Sequence, residues 1–245
     1  MKRLILLAAA LLAGCAGPQD YMRTGGRAAG EIAALGWPVL LALSLVTVVT
    51  WLLIAWIAFR RRGSFDEHAP AEAGGGQRWI LIGGLAIPVA VLSIIFISTL
   101  GSLSTFPMAH AAMDEPDIRI IGHQWWFDTE YLPGGSICGT DAANLGQHAA
   151  EPPGERSSLI VRSPSEVHIP VGVPVEIELE TRDVIHSFWV PKLHGKVDLI
   201  PGQKNRIRVQ ADRPGVYEGE CGEYCGVQHA NMRIVVVAHT PDDYI

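Results

Sequence analysis

The sequence predicts two transmembrane helices in a hairpin followed by an all-β sandwich or barrel. Two uncharged apolar stretches, about Trp37 to Phe59 and about Trp79 to Leu103, are each long enough to cross a bilayer core, which takes ~20 residues. After about residue 105 the chain turns polar and breaks into short strand-like runs separated by Pro and Gly turns. The 245 residues are 49% hydrophobic with a mean hydropathy of +0.23, and that excess sits in the apolar runs before the β half.

The elements follow in chain order. Lys2 and Arg3 precede an apolar run from Leu4 to Leu12 that is too short to span, and Leu12-Ala13-Gly14-Cys15 places small residues directly before a cysteine. Residues 1–14 are therefore read as a lipoprotein signal peptide and Cys15 as the lipidated residue left by cleavage, against the plainer reading of an uncleaved anchor with an incidental cysteine. Residues 15–36 are an N-terminal segment and 37–104 the hairpin. Arg60, Arg61 and Arg62 follow the first span and Arg78 precedes the second, which puts the loop between them in the cytoplasm and both ends of the hairpin in the periplasm.

Residues 105–240 form the exported domain. Its strand-like runs are 118–121, 124–131, 166–170, 175–180, 184–190, 206–209, 215–217 and 233–238, many of them alternating apolar and polar residues. Turns are marked by Val173-Pro174, Pro201-Gly202 and Pro214-Gly215. Residues 132–165 are Pro- and Gly-rich and weakly patterned, and read as a surface insertion. From residue 105 to 245 there are 20 Asp and Glu against 11 Lys and Arg, a net of −9, whereas the whole chain is −6. That balance excludes nucleic acid as a partner and suits a basic protein, although ordinary solubility charge explains it as well.

The chemistry concentrates in Cys221-Gly222-Glu223-Tyr224-Cys225-Gly226-Val227-Gln228-His229-Ala230-Asn231-Met232, with His186 on a strand upstream. Two thiols, two imidazoles and a thioether are a soft donor set that selects copper over hard cations. Two cysteines four apart on a Gly-bearing loop can turn both sulfurs to one side and bridge two metal ions. Three other outcomes use the same residues: a Cys221–Cys225 disulfide, a structural zinc on two Cys and two His, or a single blue copper, which has no use for the second cysteine. His168 and His194 fall outside this ligand set, His123 has no role readable from the sequence, and Cys138 has no evident partner.

The loop resembles the CuA motif of cytochrome c oxidase subunit II, Cys-x-Glu-x-Cys-x-x-x-His-x-x-Met, with every ligand position filled. Asp183 to Pro191, Lys196 to Gly202 and the aromatic segment Gly122-His123-Gln124-Trp125-Trp126-Phe127 are similar to segments of the same family, and so is the hairpin. The resemblance covers about residues 30–240 and is weakest over 132–165. It implies a cupredoxin-like fold for the β domain. It implies a dinuclear copper centre on His186, Cys221, Glu223 (main-chain oxygen), Cys225, His229 and Met232. The Glu223 side chain is then expected to bind a Mg²⁺ or Mn²⁺ shared with subunit I, rather than being a solvated loop carboxylate.

The resemblance further implies that Trp125, with Trp126 beside it, is the electron entrance rather than an interfacial anchor of the kind Trp37 and Trp79 suggest. Glu130 and Asp183 match acidic positions that receive cytochrome c, though each read alone is a plain surface charge. The implied setting is a bacterial inner (plasma) membrane, with the chain multi-pass, the copper domain periplasmic, and subunits I and III, cytochrome c and membrane lipid as partners. The implied work is acceptance of electrons from reduced cytochrome c and their delivery to haem in subunit I, where oxygen is reduced with proton pumping.

Three departures accompany the likeness, one of them the segment Trp189 to Lys196, which differs from mitochondrial-type sequences and suggests a divergent bacterial branch. No Cys-x-x-Cys-His is present, so a separate cytochrome c is expected as donor. The family's glutamate near the cytoplasmic start of the second helix has no counterpart in Arg78-Trp79-Ile80-Leu81-Ile82. Among rival functions, a quinol oxidase subunit should lack the copper ligands and a nitrous oxide reductase should lack the hairpin. A membrane-anchored copper-binding lipoprotein, acting as chaperone or store without an oxidase partner, explains the ligands and the lipid but not the spans and the aromatic patch.

Overall fold

The structure is a computed structural model that describes residues 17–60, 76–105, 115–132, 135, 137 and 161–244. The expected signal peptide, Cys15, most of the inter-helix loop and Cys138 lie outside these residues. The chain divides into two compact units, one made of residues up to Ala33 together with those from Pro107 onward, the other of Ala34–Phe106.

The helical unit holds most of α1 (Arg27–Arg60), then α2 (Gly76–Leu81), a π turn (Ile82–Ala86) and α3 (Ile87–Thr105). Two helical stretches, Arg27–Arg60 and Gly76–Leu103, are long and apolar enough to cross a membrane, and their apolar side chains are exposed. The π turn falls on Gly83-Gly84. Without β-carbons that stretch resists the wider turn least.

The other unit is a two-sheet sandwich. Its strands are β1 (Ile118–His123), β2 (Trp126–Tyr131), β3 (Val161–Pro164), β4 (Glu166–Pro170), β5 (Val175–Thr181), β6 (His186–Trp189), β7 (Val197–Leu199), β8 (Asn205–Val209), β9 (Gly215–Cys221) and β10 (Arg233–His239). One sheet runs β3-β2-β1-β5-β8 and the other β4-β10-β9-β6-β7. β1 pairs β5 in parallel and β4 pairs β10 in parallel, and every other ladder is antiparallel. Inward residues of both sheets, among them Ile118, Ile120, Phe127, Ile177, Leu179, Phe188 and Val236, close one apolar core.

Residues 132–165 were expected to be an insertion throughout, but Val161–Pro164 is β3, paired with β2 at the sheet edge. An edge strand with both faces largely exposed carries no apolar alternation, so its pattern is invisible in sequence. A second departure is α1, which begins at Arg27 rather than near Trp37. Its first turn and the residues before it dock on the sandwich. The Gly25 and Ala29 amides donate to the Lys192 and Leu193 carbonyls at 2.8 and 3.2 Å. A side chain on Gly26 would sit 2.3 Å from the Gln210 carbonyl oxygen, so only glycine fits there.

The outer face of the first sheet carries a row of alternating charge, one residue per strand: Arg162, Glu130, Arg119, Glu178, Arg206. Arg119 meets Glu178 at 3.0 Å and Glu130 at 3.5 Å, Lys204 adds a contact to Glu178 at 3.0 Å, and Arg162 closes on Glu130. The cation stems cover the carboxylates, so Glu130 and Glu178 are only 4% exposed on a face the alternation marks as outer.

Burial pushes the Glu178 carboxyl up, but hydrogen bonds from Lys204 and Arg119 outweigh it and hold the pKa below the ordinary 4.5. A lowered folded-state pKa gives stability that is present above the unfolded value and lost as pH falls through the folded one. Glu178→Gln should therefore cost about 1–3 kcal/mol at neutral pH. In denaturant titrations over a pH series, the gap to the parent should close progressively below pH 4.5. A gap independent of pH would assign the cost to packing instead.

Candidate metal centre

The chain order of β6 and β9 brings the donors together. Phe188 and Trp189 of β6 pair with Cys221 and Glu220 of β9, so His186 lies close to Cys221 at the end of β9. Gly122 on β1 leaves room for the imidazole, since a β-carbon there would sit 2.8 Å from His186 Cδ2. After Cys221 the chain loops out and returns, and the Cys221 amide donates to the Met232 carbonyl at 2.9 Å. Inside the loop Gly226 has φ +117°, a backbone conformation that disfavours any side chain.

The two sulfurs lie 3.8 Å apart. A disulfide bond is about 2.05 Å long, so both thiols are free here. His186 Nδ1 is 3.8 Å from Cys221 Sγ, and His229 Nδ1 is 3.6 Å from Cys225 Sγ. Met232 Sδ is 3.7 Å from Cys225 Sγ, and the Glu223 carbonyl oxygen is 3.2 Å from Cys221 Sγ. All six residues expected as ligands therefore converge. His186, Cys221, Cys225 and Met232 are buried and His229 is half-buried. Ligand atoms of His186, Cys221 and Cys225 fall within 4.8 Å of one another. This donor chemistry fits a soft metal: two thiols each have their own imidazole, and a thioether, which zinc seldom uses, is in reach.

His186 is oriented from behind. Its Nε2 is 2.7 Å from Asp183 Oδ1, while Asp183 Oδ2 accepts from the Gln124 amide at 2.7 Å. A carboxylate on the far nitrogen of a ligand histidine fixes the tautomer and aims the other nitrogen at the metal. Burial disfavours charge on His186, yet Cys221 and Asp183 on its two nitrogens hold its pKa above 6.5. Burial would likewise raise the Cys221 thiol, but hydrogen bonding to His186 and to the backbone at Glu223 and Ser187 brings it down to about 6. Burial and the neighbouring Cys221 push the Cys225 thiol up to about 12. Cys221 is thus the thiol that gives up its proton more readily and Cys225 the one that holds it.

The remaining expected residues divide. Trp125 reaches the loop: its indole Nε1 donates to the Cys225 carbonyl at 3.2 Å, beside the Gln124 side chain at 2.8 Å. Trp126 points away, half exposed and stacked on His123 with ring centroids 4.8 Å apart. Glu130, expected as a docking carboxylate, is buried on the outer face of the sheet and paired with Arg119 and Arg162. Asp183 turns to His186. The Glu223 carboxylate, expected to meet a hard divalent ion, meets Lys196 Nζ at 2.9 Å, and Asp198 meets the same ammonium at 3.1 Å. The sequence reading missed the role of Asp183 as the partner of His186. The Asp-x-x-His spacing was its only signal.

Several known proteins are similar to this chain. The family model for the periplasmic domain of cytochrome c oxidase subunit II matches residues 117–239. Cytochrome c oxidase subunit 2 of Alkalihalophilus pseudofirmus is 31% identical over 210 residues, covering 84% of this chain and 54% of that protein. Its counterpart in Thermostichus vulcanus is 49% identical over 79 residues, 32% of this chain and 24% of that protein. The chain thus spans about half the length of the first relative and about a quarter of the other. Among solved structures, the periplasmic domain of cytochrome oxidase subunit II of Bradyrhizobium japonicum is 23% identical with a TM-score of 0.40, covering 55% of this chain and 91% of that one. A chain of a heme-copper terminal oxidase dimer is 21% identical with a TM-score of 0.42, covering 67% and 100%. With a family match across the whole sandwich and the full motif in place at its end, the chain belongs to the cytochrome c oxidase subunit II family.

Proposed function

We propose that this chain is the electron-accepting subunit of a haem–copper cytochrome c oxidase and holds a dinuclear copper (CuA) centre on His186, Cys221, Glu223, Cys225, His229 and Met232. One observation carries the reading: two unbonded sulfurs 3.8 Å apart, each within 3.8 Å of its own imidazole. Bound there, a copper pair supplies one-electron chemistry shared across two ions. The protein residues do the rest. The Cys221 and Cys225 thiols and the His186 and His229 imidazoles would hold the coppers, with Met232 and the Glu223 carbonyl beside the sulfurs as weak donors. The sandwich fixes these positions through β6, β9 and the Cys221–Met232 amide link, so little needs to move when charge is gained or lost.

Trp125 is the entrance for electrons from reduced cytochrome c, because its indole contacts the loop that bears Cys225. The segments carrying the site also expose Val184, Ile185, Trp126, Tyr224 and Val227, an apolar surface suited to partner proteins. Subunit I, which takes the electrons at its haem and reduces oxygen with proton pumping, and subunit III complete the assembly. The domain lies on the periplasmic side of the bacterial inner membrane, anchored by the hairpin and by lipid on Cys15. A Mg²⁺ or Mn²⁺ shared with subunit I at Glu223 has to displace the Lys196 ammonium, because Glu223 and Asp198 already converge on it.

Two measurements test this. Trp125→Leu should slow reduction of the centre by cytochrome c in stopped-flow mixing while leaving its absorption intact. A rate equal to the parent's would remove Trp125 from the path. Purification from the native membrane should bring down haem and a large polytopic partner, whereas a copper store would come alone.

A further inference from the structure

At the far end of β10 from the thiols, two imidazoles meet that the proposed copper centre does not use. His168 lies in the middle of edge strand β4 and His239 ends β10. The ladder places His168 opposite Val237 and His239 opposite Pro170, so the two histidines are diagonal neighbours on one face. His168 Nδ1 is 2.7 Å from His239 Nε2, and the rings lie end to end with centroids 5.0 Å apart and planes 22° apart. The other nitrogen of His168, Nε2, is 3.1 Å from Oε1 of Glu166, two residues earlier on that face. The Tyr244 ring flanks His239 at 6.2 Å.

We infer that His168 and His239, with Glu166 as orienting carboxylate, form a second metal site that takes a divalent transition ion of the zinc or copper(II) class from solution. The bond to Glu166 sets the tautomer of His168: with the proton on Nε2, the lone pair on Nδ1 faces His239. This is the carboxylate–histidine arrangement that prepares ligands at metal sites. Without metal the two nitrogens share one proton. With metal–nitrogen bonds of about 2.0–2.1 Å, tetrahedral ligation needs the nitrogens about 3.3 Å apart, a widening of about 0.6 Å from the 2.7 Å seen here. The two facing rings must also turn to present both nitrogens to one ion, and His168, on the edge strand β4, has room to do so.

The His168 side chain is 38% exposed, so water can complete the coordination and the ion can exchange. β10 separates the pair from Met232 by its seven residues, about 20 Å at the rise of a strand. The site therefore stands independently of what the thiols hold.

Equilibrium dialysis of the full-length chain in detergent against Zn²⁺ tests this. The parent should retain one zinc equivalent more than His168→Ala or His239→Ala. Zinc taken by the thiol cluster is common to all three and cancels. Glu166→Gln alters only a half-exposed carboxylate and should weaken the extra site about 10–100-fold, which carries the test should a histidine variant misfold. Equal zinc in the parent and both histidine variants, or unchanged affinity in Glu166→Gln, would overturn the inference and leave a proton-sharing pair.

Discussion

Cys225→Ser is expected to leave a folded chain that neither holds paired copper nor oxidises cytochrome c, and Cys221→Ser should do the same. The two sulfurs are 3.8 Å apart and each serves one imidazole, so neither half of the site is complete without both. A serine hydroxyl is a hard donor that keeps its proton at neutral pH, and it cannot replace a bridging thiolate. The exchange changes little volume at two small buried positions, so the sandwich should survive. Copper content, the near-infrared band and turnover should fall together, with far-ultraviolet circular dichroism unchanged. Steady turnover in either variant would mean that electrons reach the partner by another route.

The second large effect is expected at Asp183. Its carboxylate bonds His186 Nε2 at 2.7 Å and holds the Gln124 amide at the same distance. Asp183→Asn keeps the shape but removes the charge, and the tautomer of His186 is no longer fixed. Loss of such a partner typically weakens metal binding about 10–100-fold. Competition with a copper chelator should show that loss, with unfolding temperature close to the parent's. Unchanged copper affinity would reduce Asp183 to a surface carboxylate, the plainer reading its sequence context allowed.

The two cysteines and Asp183 mark what was and was not legible in the sequence. The ligands sit within one loop and one short upstream motif, so spacing and donor type sufficed. β4 and β5 were readable because Glu166–Pro170 and Val175–Thr181 are β-rich and bounded by turns. β3 escaped because an edge strand buries neither face, and β7 because three residues carry no period. Glu130 looked like surface charge because its partners, Arg119 and Arg162, lie on other strands and only the register brings them across. The docking of residues 24–33 was equally hidden, since glycine and alanine show no pattern until backbone meets backbone.

The most direct test is the metal content and absorption spectrum of the purified chain after reconstitution with copper, first reduced and then mildly oxidised. Two coppers per chain, a purple colour and a near-infrared band are expected. A chain that stays colourless and takes up only zinc would contradict a dinuclear copper centre.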